Sequence, residues 1–173
     1  LVNHLDKGGY SNDTTVVNTY YRIARKLRSD RDTSNFYYDL AINFCDDAIN
    51  GKRYDEVKTD YFRYIKGLSL TRKGKSIYRD NEYDKAEKIG KEAVKVLKKL
   101  ELSENEKART KGLDYLTFTT VWLAVLHQKQ GNTEKALAYY DETERYTYIT
   151  KDTTRRSLIW GNIAVLHKNN GNL

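Results

Sequence analysis

Apolar residues recur along this chain every three or four positions, the spacing that places them on one face of an α-helix. Short polar or glycine-containing breaks separate these stripes, and residues 1–13 carry no periodic pattern. The pattern predicts an irregular start at 1–13 and then seven helices, at about Thr14–Arg28, Thr33–Asn50, Tyr54–Arg79, Glu82–Leu100, 104–130, Thr133–Tyr148 and 153–170.

Three of the breaks carry recognisable helix-end signals. Ser103 and Glu106 have the spacing of a capping box, in which the serine caps the helix and the glutamate reaches back. Gly131 is predicted to end the fifth helix, because glycine readily adopts the left-handed conformation found at many helix ends. Asn132 is predicted to cap the amino end of the sixth helix. Asp152 is predicted to cap the seventh helix.

One segment occurs twice in the chain, 40 residues apart. Leu123–Asn132 returns as Ile163–Asn172, with eight of the ten positions identical or conservatively exchanged. Repeats at such a spacing indicate stacked supersecondary units, because one helix pair cannot bury its apolar face alone. We therefore expect a single repeat domain over 1–173, with its last repeat truncated at Leu173.

Composition agrees with a mostly helical chain. The 173 residues are 39% apolar and 32% charged, and they include no proline, a residue that breaks helix interiors. The one cysteine, Cys45, excludes an internal disulfide and is expected to be a buried thiol. No stretch approaches the roughly 20 apolar residues of a membrane span. The chain starts at Leu1 and has no methionine, so we expect it to be part of a longer protein.

The repeated residues resemble the tetratricopeptide repeat, which pairs two helices, A and B, around small and large residues at fixed offsets. The resemblance covers 64–173 and is weak over 1–63, and the period is about 40 to 49 residues instead of the usual 34. The residues that carry it are Leu70, Gly74, Ile77, Asn81, Tyr83, Ala86 and Ala93, then Leu123, Ala124, His127, Gly131, Asn132, Ala136 and Tyr140, then Trp160, Ile163, Ala164, His167, Gly171 and Asn172.

This resemblance implies an all-α fold of antiparallel helix pairs, stacked as a right-handed α-solenoid of about 3.5 repeats. Small residues let paired helices approach closely while larger neighbours fill the gaps beside them. The small positions that would have this role are Gly74, Ala86, Ala124, Ala136 and Ala164.

In tetratricopeptide stacks helix A of each pair lines a concave groove that holds a protein or peptide. Trp122 would form an apolar floor, unless it belongs to the core. Asn162 would pair with peptide backbone, and Arg72 and Arg79 would each hold a carboxylate through two hydrogen bonds. Such a surface suits an extended peptide with acidic groups. The groove positions that the resemblance assigns are Arg72, Lys75, Tyr78, Arg79, Trp122, Val125, Lys129, Asn162, Lys168 and Asn169.

A narrower likeness concerns the start of the chain and the residues before its last helix. Ser11–Asn18, followed by repeats with Lys151-Asp152 ahead of helix A, is similar to the sensor region of Bacteroidetes signalling proteins. In those proteins the repeats precede a membrane helix and a kinase or DNA-binding output. The likeness implies a periplasmic sensor segment. A chain without that role would be cytoplasmic.

The net charge of +7 is concentrated in one region, because 51–111 holds 18 basic and 11 acidic groups. Such a region can attract nucleic acid, acidic peptides or anionic lipid, and the plainer interpretation is a solvated face of helices rich in lysine and glutamate. The first hypothesis is therefore a peptide-binding module, and the alternative is a nucleic-acid-associated helical-repeat protein that uses 51–111. Binding that weakens steeply with salt would favour the alternative, whereas the interleaving of lysine with glutamate disfavours it. Homo-oligomerisation through an open edge of the stack is compatible with both.

No residue pattern supports an enzyme. His127 and His167 share one repeat position, which is typical of packing residues, and no cysteine or carboxylate lies beside them at metal-ligand spacing. Gly8-Gly9 lacks the strand and the lysine of a phosphate-binding loop. We expect a non-enzymatic module without metal or cofactor, any catalytic output domain lying outside this sequence.

Overall fold

A computed structural model describes residues 13–169 of the chain, and seven α-helices make up most of that range. They are α1 (Asp13–Lys26), α2 (Arg31–Asn50), α3 (Glu56–Tyr78), α4 (Tyr83–Lys98), α5 (Glu106–Lys129), α6 (Thr133–Thr150) and α7 (Thr153–Asn169). A short 3-10 turn, Lys99–Leu102, follows α4. No strand occurs between residues 13 and 169, so the all-α prediction is confirmed for that part of the chain. The irregular start predicted for 1–13 lies outside the described residues except for Asp13, which is helical.

Aspartate side chains cap three of the helices at their amino ends. The carboxylates of Asp30, Asp55 and Asp152 accept hydrogen bonds from backbone N–H groups three residues on, at 3.1, 2.8 and 2.8 Å. These bonds satisfy donors that the first turn of a helix leaves free. The prediction that Asp152 caps the last helix is therefore confirmed.

The predicted capping box at Ser103 is wrong. Asn105 caps α5 instead, accepting from the backbone N–H of Ala108 at 3.2 Å. The Ser103 hydroxyl donates to the carboxylate of Asp60, which is only 2% exposed, and accepts from the Asn105 N–H at 3.1 Å. A buried carboxylate is costly without hydrogen-bond donors. The Ser103 hydroxyl therefore bonds to Asp60 and does not cap the helix.

Left-handed residues end several helices. Gly131 has φ +74°, which confirms its predicted role as the stop after α5. Asn132 occupies the cap position of α6, but its side chain makes no capping hydrogen bond. Three non-glycine residues, Lys52, Asn81 and Lys151, also adopt positive φ, between 48° and 62°, in turns after α2, α3 and α6.

Each helix packs against the next one in the chain, and α3 also contacts both α1 and α5. The odd-numbered helices α1, α3 and α5 therefore lie side by side, with α3 in the middle. With α5, α3 is one of the two most buried helices of the described part, and its Phe62, Ile65, Leu68, Leu70 and Ile77 are all at most 4% exposed.

Two hydrophobic clusters lie on either side of α3. The first joins α1, α2 and α3 and includes Tyr21, Tyr38 and Cys45. Cys45 is a free, fully buried thiol, as predicted, and burial raises its pKa. The second cluster joins α3 through α6 and includes Trp122.

Trp122 packs where glycines leave room for its ring. A Cβ atom on Gly74 would lie 2.7 Å from the Trp122 Cη2, and one on Gly90 would lie 2.6 Å from the Cζ3. Of the small residues predicted at close approaches, Gly74, Ala86, Ala124 and Ala136 are buried, but Ala164 on α7 is exposed. Trp122 is 4% exposed, so its placement on a groove floor is corrected to the core.

Gly90→Ala should destabilise the chain, although alanine is the better helix former by roughly 1 kcal/mol. The new Cβ would also lie 2.7 Å from Leu123 Cδ2, and overpacking of this kind costs about 1–3 kcal/mol. The measurement is the free energy of unfolding by denaturant titration.

Gly161→Ala is the matched control. Gly161 lies within α7 with nothing within 4 Å of a built Cβ. The control should therefore gain up to about 1 kcal/mol from helix propensity alone. A Gly90→Ala variant that gained as much as the control would contradict the packing described for Trp122.

Candidate functional site

A cavity of about 160 Å³ opens where the carboxyl ends of α1 and α3 meet the amino end of α2. Its lining combines cationic and hydroxyl side chains and contains no carboxylate. We call it the basic pocket. Its lining residues are Arg25, Arg28, Ser34, Tyr38, Arg72, Lys75, Ser76 and Arg79.

The lining runs from exposed cations to buried hydroxyl groups. Arg25, Arg28 and Arg79 are exposed, whereas Ser34 and Tyr38 are 3% and 4% exposed. The Ser34 hydroxyl donates to the backbone carbonyl of Ala24 at 2.8 Å, which ties the start of α2 to α1. The buried lining is thus fixed by contacts between helices.

The five cations of the basic pocket have no acidic partner. Within residues 13–169 none of them lies within 4.0 Å of a carboxylate oxygen. Neighbouring cations on α3 differ, since Lys66 pairs with Asp46 and Glu92, and Lys73 pairs with Asp39. The positive charge of the pocket is therefore uncompensated by ion pairs, whereas the charges of Lys66 and Lys73 are balanced.

Helix dipoles account for only part of this charge. The carboxyl ends of α1 and α3 each carry about half a negative charge, which favours cations nearby. Two half charges neutralise about one of the five cations, and the amino end of α2 adds about half a positive charge, so at least about four remain. The arrangement therefore exceeds what helix-end stabilisation requires, and an anion is its natural complement.

Aromatic rings hold two of the cations in place. The guanidinium carbon of Arg72 lies 5.3 Å from the ring centroid of Phe118 on α5, and Lys75 Nζ lies 4.7 Å from the same centroid. Cation–π contacts of this kind contribute about 0.5–2 kcal/mol, more when desolvated. The Nε of Arg72 is buried and has no hydrogen-bond partner among the described residues. Burial lowers the pKa of the Arg72 guanidinium, but hydrogen bonds to Tyr115 and Tyr21 raise it overall and hold the group, so this cation is positioned before any ligand binds.

Lys75 shows the electrostatic effect of this crowding. Burial lowers the pKa of Lys75, and the neighbouring charges of Arg72 and Arg79 lower it further. Desolvation and like charge both disfavour the ammonium form. An anion bound between these side chains would offset the repulsion that Arg72 and Arg79 exert on the Lys75 ammonium group.

The structure brings together three of the ten residues predicted for the groove, namely Arg72, Lys75 and Arg79. Tyr78 lies beside them, half-buried against Trp122 with ring centroids 6.5 Å apart. Lys129 reaches the same tyrosine from α5, its Nζ 5.9 Å from the ring centroid.

The remaining groove residues lie away from the pocket. Val125 is exposed on α5, and Lys168 and Asn169 are exposed at the end of α7. Asn162 is half-buried and forms a hydrogen bond with the side chain of Tyr140. Burial raises the pKa of Tyr140, and this hydrogen bond partly opposes that effect. The Tyr140 hydroxyl also donates to Gln128 Oε1 at 3.1 Å.

Arg25 and Arg28 complete the pocket from α1, and the sequence reasoning did not predict them. The resemblance was weak over 1–63, so no groove position was assigned there. One signal was available, because two arginines three residues apart lie on one face at the end of a predicted helix. Their approach to α3 depends on the tertiary packing of α1.

A second cavity surrounds His127, whose side chain is fully buried. Its ring stacks on Tyr139, with centroids 5.5 Å apart, and its Nε2 lies 3.4 Å from Glu87 Oε1. Glu87 is itself paired with Lys91. No group of three metal-ligating side chains occurs among residues 13–169. His127 thus packs between α4, α5 and α6.

Comparison with known proteins finds no matching family model, no matching curated protein and no matching solved structure. The resemblance to the tetratricopeptide repeat therefore depends only on the sequence pattern over 64–173. No helix in the described range is both long and apolar enough to cross a lipid bilayer. The functional proposal is therefore based on the basic pocket.

The stability of the chain should fall as the pH drops below about 6.5, in part because of His127. Burial lowers the pKa of His127, although the nearby Glu87 charge raises it. The unfolded histidine titrates near its ordinary pKa of about 6.5, so between the two pKa values the unfolded chain binds more protons. Acid therefore favours unfolding in that window.

His127→Gln should flatten this dependence between about pH 7 and 5.5. The measurement is the free energy of unfolding at several pH values. His167→Gln, at the equivalent repeat position on α7, is the control variant. If His127→Gln kept the parent slope, the buried histidine would not be its source.

Lys75→Met should raise the free energy of unfolding at pH 7 by about 0.5 kcal/mol or more, within the usual range for relieved charge repulsion. Methionine keeps the length and the aromatic contact of the side chain and removes the charge. Lys129→Met, at an exposed position, should change stability by less than about 0.5 kcal/mol. Thermal and denaturant unfolding measure both variants. A clear loss of stability in Lys75→Met would contradict an uncompensated charge at this position.

Proposed function

We propose that this chain is a non-enzymatic helical-repeat module that binds a protein or peptide by an acidic group. The proposal includes a tetratricopeptide-like, right-handed solenoid and a place as sensor or scaffold segment in a bacterial signalling or transcription-regulatory protein. The repeated residues and the layer of α1, α3 and α5 support the solenoid.

The observation that carries the binding proposal is the uncompensated charge of the basic pocket. Five cations from two helices converge on one cavity, and its lining offers no carboxylate. Holding like charges together costs stability unless a partner repays it. Arginine is suited to that partner, since its planar guanidinium binds acidic groups through two parallel hydrogen bonds.

The surface beside the pocket suits an extended peptide. Tyr78 and Lys129 connect the rim of the pocket to α5, where Val125 is exposed at 36%. An apolar side chain next to cations gives a peptide both an acidic anchor and apolar contact. Asn162, Lys168 and Asn169 would extend this surface along α7 in a full solenoid.

The ion pairs within 51–111 argue against the nucleic-acid alternative. A duplex needs a continuous row of cations along its phosphates. Six of the 18 cations in this region are instead paired with carboxylates, namely Arg63, Lys66, Lys73, Lys85, Lys91 and Lys98. A polyanion would meet negative charge on both sides of the pocket.

Peptide binding should depend on Arg72 and Arg79. The probe is a fluorescent peptide library rich in Asp and Glu, compared with a library carrying Asn and Gln at the same positions. Arg72→Gln and Arg79→Gln should each weaken binding of the acidic library by about tenfold or more, since a hydrogen bond to a charged group contributes about 1.5–3 kcal/mol. Fluorescence anisotropy measures the affinities.

Lys95→Gln is the control, because it removes the same charge from an exposed position on α4. It should leave binding within about twofold. Equal affinity for the acidic and neutral libraries would contradict the proposal. Tight, salt-sensitive binding of a DNA or RNA duplex without peptide binding would support the alternative.

A further inference from the structure

We propose that the basic pocket selects a phosphate monoester, carried on a phosphorylated Ser, Thr or Tyr side chain of the bound peptide, over a carboxylate. This inference rests on the proposed peptide-binding function and adds the chemical identity of the anchor.

The charge of the pocket matches a dianion better than a monoanion. After the ends of α1 and α3 are allowed for, about four positive charges remain unbalanced. A carboxylate supplies one negative charge, whereas a phosphate monoester carries about 1.5 to 2 at pH 7. The phosphate therefore relieves more of the repulsion that Lys75 experiences between Arg72 and Arg79.

The donors of the pocket also exceed what a carboxylate accepts. A guanidinium has five N–H donors and an ammonium has three. The buried Nε of Arg72 has no partner among the described residues, and Ser76 adds a hydroxyl group. A carboxylate has two oxygens on one plane, whereas a phosphate monoester presents three in three directions. Cations that approach from α1 and from α3 suit the second geometry.

The donors are held ready for such a group. The ring of Phe118 on α5 makes cation–π contacts with both Arg72 and Lys75. The guanidinium carbon of Arg25 lies 5.9 Å from the ring centroid of Tyr21. Groups that are already positioned lose less conformational entropy when they bind. Three of the five cations, Arg25, Arg72 and Lys75, are thus held against aromatic rings at the lining of one small cavity.

The size of the cavity suits one functional group and no polymer backbone. Its volume of about 160 Å³ compares with the roughly 10–15 Å³ that a single water needs by the same kind of measure. Several heavy atoms fit, which is enough for a phosphate group and the carbon that bears it. A side chain can project such a group into the cavity from a peptide on the surface.

Carboxylates beside the pocket disfavour a polyanion or a membrane surface. Asp80 follows directly on Arg79 and pairs with Arg31 at 3.0 Å. Asp39 follows Tyr38 and pairs with Lys73. Both acids are partly exposed, so the next phosphate of a nucleic acid or an anionic bilayer would meet them. A single phosphorylated side chain avoids this repulsion.

The test uses three peptide libraries that differ only at a fixed central position, which is serine, glutamate or phosphoserine, with randomised flanks. Matched phosphothreonine and phosphotyrosine libraries identify the preferred residue. The phosphorylated library should bind at least about tenfold more tightly than the glutamate library. Inorganic phosphate at millimolar concentration should compete with it.

Variants of the chain locate the effect. Arg72→Gln and Arg79→Gln should remove most of the preference for phosphate over glutamate, and Lys95→Gln should keep it. Arg79 is exposed at the carboxyl end of α3, where only its backbone N–H serves the helix, so this variant should fold even if Arg72→Gln does not. Loss of preference in both pocket variants, with the control unchanged, supports the proposal.

Each other result has a defined meaning. Equal or tighter binding of the glutamate library would overturn phosphate selection but leave the proposed peptide function standing. Absence of binding by every library would overturn both. Binding of inorganic phosphate, of vesicles with phosphatidic acid or of a duplex, without phosphopeptide binding, would assign the pocket to another phosphate source and overturn the peptide anchor.

Discussion

The packing of Trp122 between α3 and α4 is the contact on which the rest of the structure depends. Its ring takes the space that Gly74 and Gly90 leave open, and a Cβ on either glycine would collide with it. Gly74 lies between Arg72 and Lys75 in the chain. One turn before Trp122 on α5, Phe118 supports those two cations, so a single face of α5 fixes both the core and the pocket.

This arrangement explains why α3 carries a charge cluster at the cost of stability. Crowded, partly buried like charges destabilise a fold, and perturbed charges of this kind cluster at functional sites. Other cations of α3 are balanced, with Arg63 bound to Glu56 and Asp60 and Lys66 bound to Asp46 and Glu92. The contrast between neighbouring turns of one helix is what supports our proposal that the pocket binds an anion.

Sequence periodicity predicted the helices well, because helix burial depends on a local pattern that the chain itself displays. It failed where a side chain can make either of two hydrogen bonds. The Ser103 hydroxyl donates to the buried carboxylate of Asp60 and does not cap a helix. Sequence reasoning also left Trp122 undecided between a groove floor and the core, since only tertiary packing shows that two glycines receive the ring. Arg25 was missed because its approach to α3 depends on how α1 packs.

The most direct test of the account is a chemical-shift titration of the isotope-labelled chain with O-phosphoserine. We predict shifts concentrated at the carboxyl ends of α1 and α3 and the amino end of α2, with Arg72 and Arg79 among the largest. Shifts spread over the lysines of α4, or no saturable shifts at all, would contradict an anion-binding pocket at this junction of helices.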